Sequence, residues 1–299
     1  MGRARGMTSL IETRIEEIRQ QGLRELQANR PTEALALFDR AFELGPTEEQ
    51  HEILTINKAR CLVELRESGP AVQALPMILM RRRNARHAFL AAYTLQYKFR
   101  LEGDYRKAAV YGSQALTLAE QNGGEGAAEV LLEQGSICVL DSRTEEAIGF
   151  FERALAMLGN QPGRELSVAI ARQNLGYSLL ITGEPARGVE LIHDALSRME
   201  ALGADGFYPE SHIDLCYGYL ELEQLEMARH YGELGLAHAV EDRQIRNAHY
   251  LLGEVLYKLG RSEEARGHFE ALARYYPDFP NLTNLLLAFD LRRMVNLKL

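Results

Sequence analysis

Arg81, Arg82, Arg83 and Arg86 stand close together, with Phe89, Tyr93, Tyr97, Lys98 and Arg100 following on what reads as one long helix. A guanidinium offers parallel N–H donors that fit a carboxylate or phosphate, so the chemistry of this stretch is anion capture. An acidic peptide or protein segment held by arginine forks is the first reading. Interleaved basic and aromatic residues are also the signature of nucleic-acid contact. That reading ranks below the first, because residues 101–299 carry 30 acidic against 18 basic side chains and would repel a polyanion. Residues 1–100 carry 16 basic against 12 acidic, and no acid occurs between Glu67 and Glu102. Two further readings are a solvated charge run at a loop and head-to-tail pairing with the acidic part of a second copy.

Other chemistry is hard to assemble. The chain has no GxSxG, HExxH or phosphate-loop motif and no paired Cys/His arrangement, so no catalytic residue, cofactor or metal ligand is expected. The glycines of QNGGEGAAEV (121–130) follow no strand and read as a connector. His230, His238 and His249 lack clustered partners for a metal. Cys61, Cys138 and Cys216 are odd in number, far apart and without CxxC spacing, so they read as small core residues.

The elements that would position such residues show in a repeat. Ala34, Ala71, Ala108, Ala147, Gly188, Ala228 and Ala265 recur at intervals of 37 to 41 residues. Twelve residues before each lies Gly22, Ala59, Gln96, Gly135, Gly176, Cys216 or Gly253, and only Gln96 is large. Four residues after come Phe38, Leu75, Gly112, Phe151, Ile192, Gly232 and Phe269. Paired helices cross at about 8–10 Å and come closest where Gly or Ala forms the contact, so each unit predicts two antiparallel helices with the larger residue filling the next gap. Thr32, Thr144 and Ser262 are expected to accept from the free N–H groups of second helices, and Pro76 to kink or shorten one of them.

These residues resemble the tetratricopeptide repeat, a helix-turn-helix unit with the same spacing of small and large residues. The resemblance covers about residues 15–277 and implies an all-α, right-handed α-solenoid of seven units, with residues 1–14 as a lead-in and 278–299 as a C-terminal capping helix. Leu282, Leu285, Leu286, Phe289 and Met294 supply that helix with an apolar stripe; exposure of Val295, Leu297 and Leu299 beyond it would favour a homodimer. The family implies a non-enzymatic scaffold or adaptor that binds a protein or peptide on its inner face. A module sensing a signalling peptide or small ligand is the alternative.

Carried over unit by unit, the inner-face positions nominate Thr94, Tyr97 and Arg100; Gln173, Tyr177 and Leu180; Ile213, Tyr217 and Leu220; and Tyr250, Glu254 and Tyr257. Tyrosine combines large contact area with low entropic cost and a hydroxyl, which suits a binding face. Asn174 matches a position where long-repeat relatives hold a peptide backbone. The two-carboxylate clamp of chaperone-tail binders is not matched, since Leu23, Leu90 and Thr94 replace its polar residues. No 18-residue apolar window or secretory signal is evident in the sequence, so a cytoplasmic, membrane-free protein is expected.

Overall fold

The computed structural model describes residues 2–159, 162–292 and 294–299, with side chains from residue 10 onward. The described residues are helical with no strand, and the chain divides into two compact units, Met1–Glu133 and Gln134–Leu299.

The first unit contains α1 (Gly2–Gln27), α2 (Pro31–Glu43), α3 (Glu48–Glu64), α4 (Pro70–Arg81), α5 (Ala85–Leu101) and α6 (Tyr105–Gln121). Helix α7 (Ala127–Leu140) begins in this unit and crosses the boundary. The second unit continues with α8 (Thr144–Leu158), α9 (Glu165–Ile181), α10 (Pro185–Ala201), α11 (Tyr208–Glu221), α12 (Leu225–His238), α13 (Asp242–Lys258), α14 (Ser262–Ala273) and α15 (Leu282–Ala288). Successive helices pair as antiparallel hairpins, and within each unit the hairpins stack in the manner of an α-solenoid.

The spacing rule of the repeat is realised in the packing. Phe38, Phe151 and Phe269 are fully buried, each with its ring over the glycine of the partner helix. A Cβ at Gly22 or Gly135 would lie 2.5 Å from a ring carbon of Phe38 or Phe151, so only glycine admits the ring there. At Gly176 the neighbouring backbone intrudes as well, since a Cβ would sit 2.8 Å from the Gly188 carbonyl. Gln96 is fully buried with both amide atoms lacking a hydrogen-bond partner, and its unit has Gly112 where others have a large residue. All three cysteines are buried free thiols; burial pushes Cys61 up to about 12 and Cys138 to about 11.

Helix ends depart from expectation. Thr32, Thr144 and Ser262 lie inside the first turns of α2, α8 and α14, whose preceding residues are Arg30, Arg143 and Arg261, and no side chain caps these helices. Capping falls instead to Thr47 and Glu241, each in a reciprocal pair with a glutamine three residues on, and to Asn84 and Asp104. Helix α4 runs through Pro76 and has 12 residues, against 17 for the α3 that precedes it.

The C-terminal segment needs a larger correction. Instead of one capping helix over 278–299, among the described residues of this segment only Leu282–Ala288 is helical, and Phe289 turns into extended backbone. The described residues from Asp290 onward are non-helical, with turn hydrogen bonds from Met294 N–H to the Leu291 carbonyl at 2.8 Å and from Leu299 N–H to the Asn296 carbonyl at 3.2 Å. The physical reason is that the tail's polar groups find better partners on first helices of its own unit than a continued helix would offer.

Candidate functional site

Within the second unit α11 packs beside both α9 and α13, so their inner-face residues line one surface. The tail lies on that surface. Asn247 donates from Nδ2 to the Leu297 carbonyl at 2.5 Å, and Arg243 donates to the same oxygen at 3.3 Å. Asn296 reaches the other way, donating to the Val139 carbonyl at 2.9 Å and to the Ser142 hydroxyl at 3.3 Å. Arg292 pairs with Glu221 at 2.8 Å. Thus the segment is held by its main chain and by its side chains.

The electrostatic centre is Lys298. Its Nζ lies 2.7 and 2.9 Å from the two oxygens of Asp214, is also paired with Glu210, and sits 4.2 Å from the centre of the Tyr177 ring. Gln173 donates to Asp214 at 3.3 Å, and Arg243 forks onto Glu210 at 3.1 and 3.0 Å. Asp214 is 1% exposed. Burial raises the Asp214 carboxyl, with Lys298 pulling it down and Glu210 pushing it up. Burial works against the Glu210 carboxylate too, yet Lys298 and Arg243 outweigh it and hold it below its ordinary range. Burial would discharge Lys298, and the two carboxylates more than compensate. Two anions and two cations therefore balance, and one of the cations belongs to the tail.

At the other end of the tail, Glu254 is buried near Asp290 and Arg292, and its Oε1 has no hydrogen-bond partner. Burial, reinforced by Asp290 and opposed by Arg292 and Lys258, raises it to about 7. The buried Tyr250 hydroxyl faces the Leu291 backbone without a well-formed hydrogen bond. Two cavities flank the tail: one of about 410 Å³ bordered by Tyr177, Tyr217, Arg292 and Val295, and an apolar one of about 310 Å³ bordered by Tyr250, Leu272, Tyr276 and Leu297.

Of the residues nominated from sequence, Gln173, Tyr177, Tyr217, Tyr250 and Glu254 thus gather around the tail, each nearly fully buried. Asn174 is partly buried beside them in sequence and Tyr257 is 47% exposed. In the first unit, Tyr97 donates to Glu64 at 2.8 Å with the Arg60 and Arg100 guanidinium carbons 4.0 and 4.9 Å from its ring centre, and Arg100 pairs with Glu133. Thr94 spends its hydroxyl on the Leu90 carbonyl of its own helix, at 2.8 Å. Arg81, Arg82, Arg83 and Arg86 are exposed, with Arg83 paired to Glu48, Arg86 to Glu125 at 2.6 Å, and Arg82 in the left-handed backbone conformation that ends α4. The Arg81 and Arg83 side chains border a cavity of about 410 Å³ with Phe42, His51 and Lys58.

Sequence reasoning missed Glu210, Asp214, Arg243 and Asn247. Asn247 lies three residues before the nominated Tyr250, and Glu210 three before Ile213, so extending each inner stripe by one turn would have found both. Arg243 lies one further turn back. Asp214 lies four residues after Glu210 and three before the nominated Tyr217, on the adjoining edge of the same face. Among the described residues, no group of three or more His, Cys, Asp or Glu is arranged to hold a metal ion, and no helix is long and apolar enough to cross a membrane.

Residues 246–279, spanning most of α13 and α14, match the sequence profile of the tetratricopeptide repeat family. That hairpin is thus a tetratricopeptide repeat by sequence, and the other described hairpins stack within their units in the same manner. Its fold is similar to that of the apo quorum sensor NprR from B. thuringiensis, with 14% identity, TM-score 0.70 and coverage of 93% of this chain and 81% of that one. It is also similar to NprR in complex with its cognate peptide NprX (15% identity, TM-score 0.65, 91% and 82% coverage). A Rap protein complexed with Competence and Sporulation Factor is alike to a comparable degree (13% identity, TM-score 0.69, 94% and 79% coverage). At these identities the likeness is one of fold. No curated protein matches the chain by sequence.

Proposed function

We propose that the second unit is a peptide-binding sensor module, acting by recognition and not by catalysis, whose ligand is a short non-helical peptide laid along α9, α11 and α13. The observation that carries this reading is the chain's own tail: a main-chain carbonyl at Leu297 is taken by Asn247 and Arg243, the kind of backbone contact that accepts a peptide largely independently of its side chains. The tyrosines give the same surface large, rigid contact area, with Tyr177 and Tyr217 buried against or beside the tail. Fold likeness to proteins solved with a peptide or a sporulation factor supports the same class.

The test pans a random peptide library against a variant ending at Phe289, with Asn247→Ala in the same background as counter-selection. Peptides that depend on Asn247 should be enriched, weakening by about tenfold when that donor is lost. A folded variant that enriches no peptide would refute the reading.

A further inference from the structure

We infer that the tail is an intramolecular competitor for this groove, and that the peptide displacing it brings a lysine ammonium to Glu210 and Asp214. The inference rests on the peptide-binding reading and adds to it the ligand's chemistry and the regulation of the site.

The charges carry it. With the tail docked, Glu210 and Asp214 face Lys298 and Arg243. With the tail released, Arg243 is the remaining cation among the described residues that pair with these carboxylates, and Asp214, 1% exposed while the tail is docked, keeps Gln173 as a side-chain donor. An occupant that covers these carboxylates again without bringing a cation would bury an uncompensated charge, so one that restores the cation is strongly favoured over one that does not. The Tyr177 ring, 4.2 Å from the Nζ, adds the face that attracts a compact cation.

Register identifies the source of that cation. The carbonyl taken by Asn247 and Arg243 belongs to Leu297, and the ammonium is carried by the next residue, Lys298. A peptide's N-terminal ammonium precedes all of its own carbonyls, whereas a lysine side chain one residue after a clamped carbonyl has the order seen here. Because the tail is tethered, it competes at an effective concentration of the order of millimolar, which an untethered ligand must overcome. The groove is therefore closed to weak ligands and open to strong ones that carry the lysine.

The experiment measures binding of a labelled synthetic peptide of residues 290–299, and of the same peptide with norleucine in place of the lysine, to the full chain, to the chain ending at Phe289 and to full-length Lys298→Gln. The shortened chain should bind the lysine peptide at least about tenfold more tightly than the full chain, and the norleucine peptide about thirtyfold more weakly than the lysine one. Lys298→Gln should lie between the two proteins, and it carries the comparison should the shortened chain not fold. Equal binding of the two peptides would overturn the lysine requirement while leaving peptide recognition standing. Equal binding to the full and shortened chains would overturn competition by the tail. Failure of the folded, shortened chain to enrich any library peptide would instead remove the peptide-binding reading itself.

Discussion

Replacing Lys298 by Met removes the tail's cation and keeps most of its apolar stem. In the docked state this leaves Asp214, 1% exposed, opposite an uncharged group, and Glu210 with Arg243 as its remaining cation among the described residues. Removing one partner of a buried ion pair costs about 3–5 kcal/mol. The chain has a cheaper response than bearing that cost: the tail can leave, and water can reach Asp214. The loss should therefore appear in local opening of the tail before it appears in global unfolding. Taking about 3 kcal/mol, the open fraction of the tail rises by about a hundredfold. Hydrogen exchange at the backbone amides of Leu297, Lys298 and Leu299 reads this directly. Asp214→Asn in the same background removes the uncompensated charge, and the double variant should regain protection to within about 1 kcal/mol of the parent. Unchanged exchange in Lys298→Met, or a double variant no better protected than the single one, would refute the assignment of Lys298 as the electrostatic anchor.

Gly135→Ala should destabilise the protein by about 1–2 kcal/mol, since the new methyl overlaps the Phe151 ring by more than the gain in helix propensity offsets. Gly149→Ala and Gly267→Ala, on helical positions with open space around them, should stabilise it by about 0.5–1 kcal/mol; urea denaturation of the three variants checks both signs. Glu254 is raised to about 7 from its ordinary 4.5 by burial and by Asp290, against Arg292 and Lys258, so the folded state binds its proton more tightly than the unfolded chain does. Its contribution to stability is complete below pH 4.5 and fades as pH rises towards 7. Glu254→Gln should flatten that part of the profile and raise stability at pH 8 by about 1 kcal/mol, and melting curves that stay parallel from pH 5 to pH 8 would contradict it.

Much of the fold is legible in the chain because its cause is local. A glycine at position 135 and a phenylalanine at 151 meet across one hairpin turn, so a fixed offset in sequence becomes a fixed contact in space. Gln173, Tyr177, Tyr217, Tyr250 and Glu254 share one surface for a related reason: once a helix's packed side is known, its opposite stripe follows from 3.6 residues per turn. Thr32, Thr144 and Ser262 failed as caps because helix starts lie one or two residues earlier than the first good acceptor, a shift that spacing does not resolve.

Repeat length, helix pairing and the glycine and alanine contacts follow from residue order, since each depends on neighbours within one hairpin. The position of the tail does not. Lys298 meets Glu210 and Asp214 across 88 and 84 residues, and Asn296 meets Val139 across 157. Leucine, asparagine and lysine at a chain end read equally well as the continuation of an apolar helix. Only the folded unit, by bringing two buried carboxylates and a backbone clamp to one surface, turns those residues from a helical cap into the occupant of a groove.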